Sequence, residues 1–269
     1  MKQFDQAVAE SGIRGRWVTG EASPDAPVQL FCFPHAGGGP GFFGAWRRSL
    51  HPWLDVRSIH LPGRESRARE GLLTDIENVV PPVVDAVAKA VDRPFLLFGH
   101  SLGSIVAFET ARQLESRGVR PMALVVSSRR APDRQRRAAR YETMTQAAFL
   151  GAVEGLNGTP VEVLEHEALV EMMLPILRAD FVMNERYVRF PGRVLDAPIM
   201  AMAAAQDPEV PVAEMLDWRH ETTGGFMLRV FEGDHFYLKS APLPVWAAIR
   251  SLVQERGFNT AHTSEYPAR

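Results

Sequence analysis

The chain has a single cysteine among its 269 residues, Cys32. No intramolecular disulfide can form. Cys32 lies in the apolar run Leu30-Phe31-Cys32-Phe33, where a thiol acts as a small buried hydrophobe rather than a reactive group. No run approaches the ~18 consecutive apolar residues of a membrane span. The N-terminal MKQFDQAVAESGIRGRW lacks the apolar segment of a secretory signal. A cytoplasmic protein with no membrane partner is expected. Charge of one sign is also missing: 30 Lys and Arg stand against 32 Asp and Glu. That balance removes any electrostatic case for a nucleic-acid partner. Lysine is scarce, with only Lys2, Lys89 and Lys239, and nothing functional follows from that. There is no internal repeat. The glycines Gly37-Gly38-Gly39 are not followed by the G-K-[ST] of a phosphate-binding loop.

The composition that remains, 46% hydrophobic, is ordinary for a folded domain. Short apolar runs alternate with longer helical patterns. Strands are expected at 28–33, 56–61, 95–98, 123–127, 198–204 and 226–231, with a short edge strand near Trp17-Val18. Several are apolar on both faces, as in the centre of a parallel sheet covered by helices. Helices are expected at 43–50, 75–91, 104–117, 212–220 and 245–255. This alternation implies an α/β fold with a mostly parallel sheet flanked by helices. We read one domain over residues 13–258, with polar tails at 1–12 and 259–269. Between Ser128 and Pro198 about seventy residues hold no convincing strand, only helical patterns at 141–153 and 161–181 joined by a Gly/Pro-rich stretch. One crossover helix does not need that length. A helical lid insertion over residues 130–190 is expected.

Gly99-His100-Ser101-Leu102-Gly103 carries the chemistry. It follows the apolar run Phe95–Phe98 and precedes a helical pattern, the strand–turn–helix context of a nucleophile elbow. A serine hydroxyl needs a base, and the base needs an orienting acid. In this arrangement the partners follow in the order Ser, Asp, His after later strands. Asp207 comes just past the run 199–206, and Pro208 breaks the pattern behind it. Its rivals are Asp196, which precedes the strand, and Asp217, which sits inside a helical pattern. His235 follows the last strand and the turn Glu232-Gly233-Asp234. His220 lies before that strand, and His100 inside the elbow is expected to bond locally. The tetrahedral oxyanion needs backbone N–H donors: Leu102, next to the nucleophile, and Ala36, in the glycine-rich loop after the first long strand.

These blocks together resemble the type II thioesterases of polyketide and non-ribosomal peptide biosynthesis, in the α/β-hydrolase superfamily. The matching pieces are Leu30 to Gly38, Leu61-Pro62-Gly63-Arg64-Glu65, Phe98 to Gly103, Ser128-Arg129-Arg130-Ala131-Pro132, Leu177-Arg178-Ala179-Asp180, Asp207-Pro208-Glu209-Val210 and His235-Phe236-Tyr237-Leu238. The resemblance implies hydrolysis of acyl groups from the phosphopantetheine thiol of acyl or peptidyl carrier proteins, removing stalled or misprimed units. It gives Ser101, Asp207 and His235 the triad roles and Ala36 and Leu102 the oxyanion roles, and it requires no metal or cofactor. A general carboxylesterase and a medium-chain acyl carrier protein thioesterase are the alternatives on the same fold.

Two positions depart from the family pattern. Ala204-Ala205-Gln206 stands where relatives carry glycine and acidic residues. Asp234 stands where glycine is usual, and it brings a second carboxylate that can compete for the histidine N–H. Arg129, Arg130, Arg134, Arg136, Arg137 and Arg140 crowd the start of the lid and are candidates for steering an acidic carrier. Phe149, Leu156, Met172, Met173 and Phe181 are candidates for an acyl pocket, though such stripes are more often plain core.

Overall fold

The structure, a computed structural model, describes residues 17–134, 140–154 and 167–257. Seven strands form one sheet in the order β1-β3-β2-β4-β5-β6-β7. They are β1 (Val18–Thr19), β2 (Val28–Phe33), β3 (Leu54–Ile59), β4 (Phe95–His100), β5 (Ala123–Ser127), β6 (Ile199–Ala204) and β7 (Phe226–Phe231). Among the described strands only the edge strand β1 runs antiparallel, pairing Val18 with Ile59. All other pairings are parallel, so every long strand ends at one edge of the sheet. This is the α/β-hydrolase architecture expected from the sequence.

Why the central strands read as unbroken apolar runs is clear from the two cores. Alternate side chains of each strand go to opposite faces. Phe31, Leu97, Val126 and Ala201 join one core, packed by α2 (Val80–Ala90) and α3 (Leu102–Ser116). Leu30, Phe98, Val125 and Met200 join the other, packed by α1 (Gly44–Leu50) and by α8 (Pro242–Glu255), which follows the short α7 (Tyr237–Ser240). Cys32 points into this second core, and burial pushes its thiol well above the ordinary value. β7, with one covered flank, is only half-buried.

Between β5 and β6 the described residues contain no strand. They hold α4 (Gln146–Glu154) and α5 (Glu167–Arg186). A third, small core of Phe149, Val153, Leu177 and Phe181 joins these two helices, and Ala36 packs against it. The tails at 1–12 and 259–269 and the stretch at 155–166 lie outside the described residues. None of the described helices is long and apolar enough to cross a membrane.

Several boundaries differ from the sequence reading, each for a local reason. The helix expected at 75–91 is a 3-10 turn, Ile76–Asn78, followed by α2 from Val80. Pro81 and Pro82 have no N–H for an unbroken ladder but are tolerated in a first turn. β3 begins two residues early because its second residue, Asp55, is fully buried rather than a loop carboxylate; it accepts from Ser23 N–H and Arg57. α4 begins only at Gln146, where the Thr145 hydroxyl caps the Ala148 N–H. The helix expected at 212–220 is a short α6 (Val212–Met215) continuing as a 3-10 turn.

Candidate active site

The elbow is built by two glycines that nothing else can replace. A Cβ on Gly99 would lie 2.3 Å from Gly103 O, and one on Gly103 would lie 2.1 Å from Phe33 O. β4 therefore passes into α3 against the end of β2. Ser101, between them, sits at φ 53° and ψ −121°, outside the ordinary regions for an L-residue. Such a conformation costs about 1–3 kcal/mol and persists only where its surroundings hold it. Here the Ser101 N–H donates to Ser127 O at 2.8 Å, tying the elbow to β5.

Parallel pairing brings the other candidates to the same edge. His100 pairs with Ser127 and Ala204 with Phe231, so Asp207 and His235 lie just past strand ends level with the elbow. His235 Nδ1 and Asp207 Oδ2 are 2.9 Å apart. An ionised carboxylate only accepts, so Nδ1 carries the proton and Nε2 is left as an acceptor. The other oxygen, Asp207 Oδ1, accepts from the Glu209 and Val210 N–H groups at 2.9 and 3.1 Å. Burial pushes the Asp207 carboxyl upward, but His235 and these two N–H groups outweigh it and hold the group below the usual carboxylate range.

The ring of His235 lies 5.3 Å from that of His100, the residue before Ser101. His100 does not bond within the elbow as expected: its Nδ1 is 2.9 Å from Ser127 Oγ on β5, which is 2.7 Å from Tyr237 OH. Sequence reasoning missed this buried chain, because its three residues come from three separate segments. Asp234 does not compete for the base; its Oδ1 accepts from Phe236 N–H at 2.8 Å. His220 is exposed, and Asp196 pairs with Arg120 at the opposite edge.

Leu102, buried, opens α3, and Ala36 lies in the loop after β2. In that loop Gly38 N–H donates to His35 O at 2.9 Å. His35 packs edge-on against Phe42 and Phe236. Burial, then the nearby charges of Lys239, His235 and Arg64, push its imidazole down to about 3. Burial likewise holds His100 well below the ordinary histidine range. Both rings are therefore neutral in the folded protein across ordinary pH.

A stability prediction follows from linkage. Below about 6.5, the ordinary histidine value, the unfolded chain protonates these two residues. The folded chain does not until about 3 for His35. The unfolded state thus binds more protons as pH falls, and stability drops with it. The urea midpoint should fall steadily from pH 6.5 towards 4 while the imidazole resonances of His35 and His100 stay flat. Titration of either ring near pH 6.5 in the folded protein would contradict it.

Two expectations about the surrounding residues change. Arg129 and Arg130 do not form a solvated docking face. Arg130 Nε donates to Glu214 and its Nη2 to Glu209 O. Burial, then the adjacent Arg130 charge, lowers the Arg129 guanidinium to about 10 against the opposing pull of Tyr187 and Tyr141. Arg136 and Arg137 lie outside the described residues, as does Leu156. Phe149 and Phe181 are buried in the small core above Ala36, whereas Met172 is 64% exposed. Among the described residues no group of three or more His, Cys, Asp or Glu side chains is arranged to hold a metal ion.

Comparison with known proteins bears on the same architecture. The chain is 40% identical over 231 residues to thioesterase PikA5 of Streptomyces venezuelae, covering 83% of this chain and 80% of that one. It is 34% identical to the gramicidin S biosynthesis protein GrsT of Aneurinibacillus migulanus, covering 85% and 90%. Among solved structures, the type II thioesterase BorB from the borrelidin biosynthetic cluster superposes with a TM-score of 0.81 at 34% identity, over 90% of this chain and all of BorB. The Thioesterase domain family model matches residues 28–250, a span that runs from β2 into α8 and contains every candidate site residue. With that extent of match and a relative at 40% identity, this chain belongs to the thioesterase domain family.

Proposed function

We propose that the protein is a serine thioesterase of the type II, editing class, which hydrolyses acyl groups from the phosphopantetheine thiol of acyl or peptidyl carrier proteins. The observation that carries this reading is the 2.9 Å His235–Asp207 bond at the sheet edge, one ring away from a strained serine elbow. The likeness to thioesterase PikA5, to the gramicidin S biosynthesis protein GrsT and to the type II thioesterase BorB supports the substrate class.

In this reading His235 Nε2 takes the Ser101 proton as Oγ attacks the thioester carbonyl. The N–H groups of Ala36 and Leu102 stabilise the tetrahedral oxyanion. His235 returns the proton to the departing thiol, leaving an acyl-serine. Water, deprotonated by the same imidazole, attacks that ester, and the free acid leaves as Ser101 regains its proton. No step needs a cofactor from this chain; the phosphopantetheine arm arrives with the carrier. Helices α4 and α5 serve as the lid, and the apolar residues beneath them receive the acyl chain.

The test is intact-mass spectrometry of an acetyl- or propionyl-loaded carrier protein incubated with the enzyme. Loss of the acyl mass with wild type, and none with Ser101→Ala, is expected. An unchanged acyl-carrier beside rapid hydrolysis of simple oxygen esters would make the protein a general carboxylesterase instead.

A further inference from the structure

The loop carrying Ala36 is gripped by a fully buried ion pair that the triad chemistry does not use. Arg64, after β3, and Asp180, on α5, lie 116 residues apart in sequence and form a bidentate pair. Nη1 meets Oδ2 at 2.6 Å and Nη2 meets Oδ1 at 2.8 Å. Both residues are buried. The pair does not face only itself. Asp180 Oδ2 also accepts the Gly37 N–H at 2.7 Å, and Arg64 Nη1 donates to Gly38 O at 3.2 Å. Leu177, one turn before Asp180, seats on the same residue: a Cβ on Gly37 would lie 2.5 Å from its Cδ2. Helix α5 thus touches the loop through both a carboxylate and an apolar side chain.

We infer that the Arg64–Asp180 pair is a latch that aims the Ala36 N–H, making both residues positioning residues for the oxyanion hole. Two rigid peptide planes meet at the Ala36 Cα. The Ala36–Gly37 plane is held by the Gly37 N–H bond to Asp180. The His35–Ala36 plane is held through its carbonyl, which accepts Gly38 N–H at 2.9 Å. In a trans peptide the Ala36 N–H points opposite to that pinned carbonyl. Gly38 is itself fixed by Arg64. Removing both partners frees the Gly37 N–H and the Gly38 carbonyl, at glycines whose backbones resist little. The latch also ties donor geometry to the seat of α5, since this helix cannot lift at Leu177 and Asp180 without releasing Gly37. The inference rests on the reading of Ala36 as an oxyanion donor.

Two variants separate positioning from mere stability, with turnover of a small N-acetylcysteamine thioester as the readout. Asp180→Asn keeps an oxygen for the Gly37 N–H but sets an amide N–H against the guanidinium. It should lower the thermal midpoint strongly and lose less kcat than removal of both side chains, because the Gly37 N–H keeps its acceptor. Arg64→Met with Asp180→Leu removes both charges, which buried pairs tolerate far better than the loss of one partner. It should stay folded yet lose about 10²-fold in kcat, the scale of one oxyanion donor, with KM little changed and the acid limb of the pH profile unmoved. Each variant decides alone if the other fails to fold. A double variant with wild-type kcat, an Asp180→Asn enzyme as slow as the double variant, or a shifted acid limb would overturn the latch. A trifluoromethyl ketone that caps Ser101, its proton passing to His235, distinguishes the two levels. If the wild-type hemiketal oxygen shows no lowered ionisation by fluorine NMR, the reading of Ser101 and Ala36 fails. If it is lowered in wild type and unmoved in the double variant, the latch alone fails.

Discussion

Ser101→Ala should reduce kcat on an acyl-carrier substrate by about 10⁵–10⁶-fold, the scale seen when a serine hydrolase loses its nucleophile. Folding should be nearly untouched. Ser101 makes its structural bond through the backbone, N–H to Ser127 O, and alanine keeps that bond. The half-buried hydroxyl has no structural duty that would confuse the result. The φ of 53° stays strained for alanine as for serine, so the thermal midpoint should move little. The decisive comparison is with His235→Ala under the same conditions. Groups that act as a unit are not additive, so the double variant should be no slower than either single one. Residual rates of Ser101→Ala within tenfold of wild type would mean that another group attacks the thioester, and the proposed mechanism would be wrong.

Asp207→Asn should cost about 10⁴-fold in kcat with little change in KM. The geometry gives the direction. Asp207 Oδ1 is held by two backbone N–H groups, so the asparagine oxygen stays there and its amide nitrogen faces His235. An N–H opposite Nδ1 stabilises the tautomer protonated at Nε2, which cannot accept the serine proton. Because the turn bonds survive, Asp207→Asn should be more stable than Asp207→Ala, which loses them, but less stable than wild type near neutral pH, where the carboxylate contributes. The pH dependence has a definite sign. The folded carboxyl is held below its ordinary value. Its stabilising contribution is therefore present above the unfolded carboxylate pKa and is lost as pH falls through the lower folded value. The asparagine variant should lack that acid-limb contribution. If Asp207→Asn keeps kcat within tenfold of wild type, His235 is oriented by something else.

The elbow was legible because every determinant is local. Two glycines, a preceding apolar run and a following helix lie within about one helical turn of Ser101, and the clashes at Gly99 and Gly103 explain why no other residues serve. The strand cores were legible for a similar reason: a strand buried on both faces reads as an unbroken apolar run. The shifted start of β3 escaped because Asp55 looks like a loop residue until its partners Ser23 and Arg57 are known. The arginine cluster misled in part, since nothing in Arg129-Arg130 reveals that Arg130 turns back to Glu214, 84 residues away.

The sequence by itself determined the elements, the elbow and the order in which serine, aspartate and histidine follow one another, because periodicity and turn chemistry act over a few residues. Only the tertiary structure decided what meets across that order. The strand sequence β1-β3-β2-β4-β5-β6-β7 sets Asp207 against His235, closes His100, Ser127 and Tyr237 into one buried chain, and brings Asp180 down onto Gly37. These contacts join groups far apart in the chain, and which distant polar groups pair depends on the packing of the whole sheet and its helices. No local pattern encodes that packing.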